Sequence, residues 1–176
     1  MVSIGTGQTY ADGVQTLSAI GAGELTTPTS SQRYALGLKV AMYDETYKSI
    51  KEFIYVKAAA ALTAKDTVMV VNSNTSGAEY TTLTPATTAT ATRRCGVALS
   101  DVTINYYCFL QILGPAPISS TGAMTAGNTV VMANGVKTLT DSAGTTVGTA
   151  TVGIALTSSL GAAANTVLLL GERVTV

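Results

Sequence analysis

The sequence contains no histidine and no tryptophan, and only 20 of its 176 residues are charged. Each absence closes off chemistry. Without imidazole there is no Ser-His or Cys-His nucleophile pair, no side-chain base poised near neutral pH, and no histidine-ligated metal. Ten basic residues balance ten acidic ones, which argues against a nucleic-acid binder, since such proteins need a positive excess to displace counterions from phosphate. The charged fraction of 11% is well under the roughly 25% usual for soluble domains. Two cysteines, Cys95 and Cys108, are too few for the disulfide scaffold of a small secreted domain. They flank an expected strand-turn-strand where a cross-link is feasible, but two buried free thiols are the expectation. The first positive residue is Arg33, and Met1 to Ile20 holds no continuous apolar stretch, so no secretory signal is expected. No run approaches the ~18 apolar residues of a membrane span. The expectation is a soluble chain made in a cytoplasm.

What is abundant is threonine (30 residues), alanine (25) and glycine (17), with valine outnumbering leucine. β-branched side chains fit a pleated surface and are stiff in helices, so this bias favours strands. The resulting surface is neutral and hydroxyl-rich. It protects a free monomer poorly against aggregation and suits a subunit packed against others.

Residues 1–32 differ from the rest. Gly, Ser, Thr and Ala dominate, the only charges are Asp12 and Glu24, and the apolar residues are thinly spread at Ile4, Tyr10, Val14, Leu17, Ile20 and Leu25. They are too few to build a core and too many for a solvated linker. An extended N-terminal arm is expected, docking these side chains on a surface such as that of another subunit; a floppy terminus or an edge strand of the same domain is the alternative.

Strand patterning begins at Arg33. Leu36, Leu38, Val40 and Met42 alternate with Ala35, Gly37, Lys39 and Ala41, a period of two. A polar turn at Asp44-Glu45-Thr46 leads to Phe53-Ile54-Tyr55-Val56, so 33–57 reads as a hairpin. The Ala-rich stretch from Lys57 to Ala64 could form one or two helical turns. Beyond residue 58 the sequence repeats. Ala61 to Val68 resembles Ala123 to Val130 at an offset of 62, while Gly96 to Leu99 resembles Gly153 to Leu156 at 57, as Cys108 to Gly114 does Ala164 to Gly171. The five-residue difference falls mainly in one turn, Asn72 to Gly77 against Asn134-Gly135, the latter matching a type I′ hairpin turn. Pseudo-repeats at 58–114 and 122–174 are expected, with Pro115 and Pro117 in the connection between them, because proline cannot join a ladder. The fold class is all-β, a β-sandwich or barrel with internal pseudo-duplication.

Motifs for chemistry fail one by one. Gly5-Thr6-Gly7 is followed by Tyr10 where a dinucleotide fingerprint needs glycine, and no Gly-Lys dipeptide exists for a phosphate loop. Asp44 and Glu45 share a hairpin tip; Asp66, Glu79, Asp101, Asp141 and Glu172 stand alone, without calcium-loop spacing. Arg93-Arg94 is the one basic doublet, either an anchor on an acidic partner or a solvated strand start. Tyr43, Tyr47, Tyr55, Tyr80, Tyr106 and Tyr107 suit an interface as well as strands. Asn74-Thr75-Ser76 fits a glycosylation sequon by chance in a chain without a secretory signal. No catalytic, metal or cofactor residue is expected, and the chain reads as a non-enzyme.

One resemblance has residues to carry it. Arg33 to Gly37, Tyr55 to Ala58, Ala61 to Asp66, Gly96 to Leu99 and Gly114, with their echo in the second copy, resemble the capsid decoration (cement) proteins of tailed bacteriophages over about residues 33–176. The resemblance implies a non-enzymatic β-rich subunit, a homotrimer at local three-fold positions on the capsid exterior. Its partner is the major capsid protein, whose hexamers and pentamers it staples against internal DNA pressure, with no nucleic acid or membrane bound. The arm matches in character alone. Its residues Ile4, Tyr10, Val14, Leu17, Ile20 and Leu25, with Arg93 and Arg94, are the candidate contacts. A head fibre base, a tail component, or a carbohydrate-binding or adhesin-like module are the alternatives.

Overall fold

The computed structural model describes residues 20–73, 79–83, 94–133, 135–142 and 151–171 (the backbone alone at 72, 73, 79, 80 and 83). One helical turn, α1 (Ala22–Leu25), precedes ten strands: β1 (Lys39–Asp44), β2 (Ser49–Lys57), β3 (Thr67–Ser73), β4 (Glu79–Leu83), β5 (Arg94–Ala98), β6 (Tyr107–Ser119), β7 (Thr129–Met132), β8 (Leu139–Asp141), β9 (Thr151–Ala155) and β10 (Ala164–Leu170). The all-β expectation holds, and the pairings decide between sandwich and barrel. They close two five-stranded rings. In the first, β2 pairs with β6, β6 with β5, β5 with β3 and β3 with β4, and β4 returns to β2 through Lys57 and Thr81. In the second, the far half of β6 pairs with β10, then β9, β7 and β8 follow, and Leu139 of β8 bridges back to Ser120. The thirteen-residue β6 is therefore a wall of both barrels.

The same hydrogen bonds are made twice. Leu62 and Val102 exchange backbone bonds of 2.9 and 2.8 Å; Met124 and Ser159 exchange bonds of 3.0 and 2.9 Å. Lys65 N–H donates to Ala98 and Ala98 N–H to Asp66, just as Gly127 donates to Ala155 and Ala155 to Asn128. The recurrence also reaches further back than the sequence repeat suggests. Lys57 lies opposite Tyr107 in the first barrel and Ser119 opposite Ala164 in the second, so β2 corresponds to the far half of β6. The interior follows suit. Ile54, Val56, Val68, Val70, Leu110 and Ile112 fill the first barrel, and their counterparts Ala116, Ile118, Val130, Met132, Val167 and Leu169 fill the second.

Three local expectations are corrected. Lys57 to Ala64 forms no helical turn: residues 58–66 are a loop pinned by the Leu62–Val102 bridge, because the backbone partners of the barrel outweigh a weak alanine preference. Pro115 and Pro117 lie inside β6, not in a connection. They are tolerated because odd-numbered amides here point away from β10; the Ser119 N–H donates to Lys65 instead, so no ladder bond is lost. The carbonyls of Leu113 and Pro115 are taken up by the buried Gln111 side chain, whose Nε2 donates to them at 3.1 and 2.8 Å. The hairpin at Gly135 forms, with φ +73° there. Its loop is wider than two residues, since Ala133 N–H reaches Thr138; Asn134 lies outside the described residues.

β6 changes barrels at Gly114, where φ is +85°. A bulge accompanies the change, Glu52 facing Leu113 and Phe53 facing Gln111, and the β2 backbone passes so close that a Cβ on Gly114 would fall on the Ile50 carbonyl oxygen. Gly171, its counterpart after β10, repeats the positive φ at +73°. Gly114→Ala combines backbone strain with a backbone clash. It should cost at least about 2 kcal/mol of unfolding free energy, read as a lowered urea midpoint.

Both cysteines are free and buried, as expected, Cys108 inside the first barrel and Cys95 on the side of it that faces the second. Burial pushes both thiols up to about 12. A group raised on folding stabilises the protein below its unfolded pKa and loses that contribution as pH rises. Stability should therefore fall as pH climbs above about 8.5, the unfolded thiol value, and a Cys95→Ala/Cys108→Ala chain should lose that slope between about 8.5 and 10, below the tyrosine range. At pH 8 the native thiols should react with a disulfide reagent at least ~100-fold more slowly than in urea.

Candidate interaction surface

On the outward side of β2 and the near half of β6 stand Phe53, Tyr55, Tyr107 and Phe109. Tyr55 is the hub: its ring is 4.9 Å from Phe109, stacked 6.2 Å from Tyr107, and edge-on to Tyr34 at 5.2 Å. In a barrel open to water this face would be a sticky patch of aromatic surface. The chain covers it with its own residues 20–38 and β1. Ile20 and Leu25 are 8% and 5% exposed and belong to this cluster, Thr29 exchanges backbone bonds with Tyr107, and Gly37 and Leu38 do so with Tyr55.

One carboxylate organises the cover. Glu24 reaches back to the Gly21 N–H at 3.3 Å, accepts the Tyr34 hydroxyl at 3.0 Å and lies 4.0 Å from the Arg33 guanidinium. Partial withdrawal from water, then the bond to Glu24, pushes the Tyr34 phenol above its ordinary range. The Tyr55 hydroxyl accepts the Arg33 N–H at 3.1 Å, so the aromatic hub is anchored at its polar end too.

Beside this cover runs an open groove of about 420 Å³ between Leu25, Met42, Leu99, Gln111 and Pro117. Its rim carries the ion pair of Asp44 with Lys51. That contact first, then the backbone N–H groups of Thr46 and Tyr47, holds the Asp44 carboxyl below the usual carboxylate range.

These positions revise the sequence reading. Of the candidate contacts, Ile20 and Leu25 are buried against their own chain. Residues 20–32 are not simply extended, since α1 forms within them. Arg94 opens β5 half-buried, opposite Val70. Ile4, Tyr10, Val14, Leu17 and Arg93 lie outside the described residues. Sequence reasoning missed Glu24, Tyr34 and Gln111. The spacing of Glu24 to Gly21 was the one legible signal, that of a carboxylate three residues inside a helix start.

Of the scattered carboxylates, three described ones hold backbone. Asp66 accepts the Thr63 N–H at 2.9 Å, Asp101 the Ala64 N–H at 2.8 Å, and Asp141 the Thr125 N–H at 2.8 Å together with the Asn128 amide. Among the described residues no three of His, Cys, Asp or Glu are grouped to hold a metal ion, and no helix is long and apolar enough to cross a membrane.

The Asp44–Lys51 pair gives a testable pH dependence. A carboxyl lowered on folding stabilises the protein above its unfolded pKa, about 3.9, and that contribution disappears as pH falls through the lower folded value. The urea midpoint of Asp44→Asn should lie below that of the parent chain at pH 6, and the gap should close as pH is taken down towards 2.

The chain matches no protein-family model and no curated protein. Among solved structures it is similar to the head fiber gp8.5 N base of bacteriophage phi29, with 12% identity and a TM-score of 0.48, over 70% of this chain and 97% of that one.

Proposed function

We propose that this chain is a non-enzymatic structural virion subunit that decorates the exterior of a tailed-phage capsid. In this reading it acts as a homotrimer, bridging neighbouring major capsid proteins and stabilising the head. The observation that supports the reading best is where the polar groups go. Asp66, Asp101, Asp141, Glu24 and Gln111 are each engaged in fixing this chain's own loops and edges. Among the described residues, the surface that remains is rich in threonine, alanine and aliphatic side chains, with exposed charges partly paired to each other, as Glu45 is with Lys48, and it suits contact by area.

The sequence resemblance falls on the same framework: Leu62, Thr63, Asp66 and Ala98 make the bonds that recur in both barrels. Such a subunit needs neither pocket nor reactive group. A lattice repeats its sites, so several modest contacts per subunit combine into firm retention. The twin-barrel body suits that role as a spacer, since both cores are filled with buried side chains and the described loops at 58–66 and 120–128 are hydrogen-bonded to the barrels.

The test is co-sedimentation of the purified chain with expanded heads of the phage whose genome encodes it. Saturable binding at a fixed ratio to major capsid protein, with heads surviving a higher temperature when decorated, is expected. A chain starting at residue 20, which lacks Ile4, Tyr10, Val14 and Leu17 but keeps the cover over Tyr55, should dissociate at least ~10-fold faster. No binding to heads, or binding to tails alone, would overturn the proposal.

A further inference from the structure

The two barrels present one wall to different surroundings. On the outward side of β3 and β5, Met69, Cys95 and Val97 are buried, joined in one cluster with the second barrel's core. Their counterparts on β7 and β9 are Val131, Val152 and Ile154, and these are only half-buried. Leu99 packs at the edge of the aromatic cluster, whereas its counterpart Leu156 is 40% exposed. Leu168 extends the patch, lying directly across the ladder from Ile154 on the same side.

Charge is missing from this region. Between residues 102 and 171 the only charged residues are Lys137 and Asp141, and both are occupied elsewhere. Lys137 donates to the Ala61 carbonyl and lies 3.7 Å from Asp66, tying the barrels together, while Asp141 holds Thr125 and Asn128. Val152 leans on the second barrel's core; among the described residues, Val131, Ile154, Leu156 and Leu168 leave an uncharged aliphatic patch on the outward side of β7, β9 and β10.

We infer that this face packs against a second copy of the chain. Charge matching selects the occupant. A charged partner surface would have to shed its water against aliphatic side chains, with no counter-charge to compensate. The same uncharged face on a second copy loses nothing of that kind. The molecule also contains the precedent, since the equivalent wall of the first barrel is already buried against part of the same chain. The inference rests on the reading of the chain as a self-associating subunit, and it adds which surface does the associating.

The experiment is sedimentation velocity on the full chain and on Ile154→Arg/Leu156→Arg, with circular dichroism to check folding. The parent should sediment as an assembly at micromolar concentration and the variant as single chains. A second measurement does not depend on a disruptive variant. Leu156→Cys and Ile104→Cys each add a thiol at an exposed position, against a background of two buried ones. In the assembly, maleimide should label Leu156→Cys at least ~10-fold more slowly than Ile104→Cys. A parent that sediments as a monomer, a folded variant of unchanged assembly mass, or equal labelling rates would overturn the inference. Head binding, measured separately on the parent chain, distinguishes the two proposals. Binding with an assembly that ignores these substitutions sinks this inference alone, and assembly through this face without head binding sinks the proposed function alone.

Discussion

One strand, Tyr107–Ser119, must satisfy two barrels at once, and most of the molecule's unusual features follow from that demand. A residue early in β6 has neighbours on both sides, β2 and β5, whereas a residue late in it is paired with β10. The strand can turn from one environment to the other only where its backbone leaves the ordinary β region, and Gly114 supplies that point. Past it, one side of the strand would carry bare amides and carbonyls. Proline removes two of the donors and the Gln111 amide occupies two of the acceptors, so the cost of an open edge inside a packed molecule is avoided.

This arrangement explains why some of the fold was legible in the sequence and some was not. Alternation at Leu36 to Met42 and at Phe53 to Val56 is a local signal, fixed by which side of a strand meets the core, and it led to the hairpin. The repeat was legible because both copies must close the same loop with the same bonds. The correspondence of β2 with the far half of β6 left no such trace. Phe53 and Tyr55 became Pro115 and Pro117, since one pair supports an aromatic cluster and the other borders an open ladder edge. Identical backbone roles under different surroundings select different side chains.

The interaction surface was harder to read for a related reason. Isolated apolar residues such as Ile20 and Leu25 look the same in sequence whether they bury themselves against their own barrel or another chain. What decides is the three-dimensional company of Tyr34, Tyr55 and Phe109, brought together from three separate segments. The buried polar residues divide in the same way. Asn165 and Ser120 bond each other at one mouth of the second barrel, where the first barrel has Cys108 and Ala58. Nothing in either residue alone announces the exchange of an apolar plug for a hydrogen-bonded one.

A shared wall also alters what duplication means in this chain. Two copies joined by a linker could part company, each keeping a complete set of strands, and either could be lost or traded without harm to its twin. Here no linker separates them: one uninterrupted strand closes the first ring up to Leu113 and opens the second from Pro115, with Gly114 alone between. Inheritance and unfolding therefore act on the pair as a single unit, and a change tolerated by one ring is screened by both.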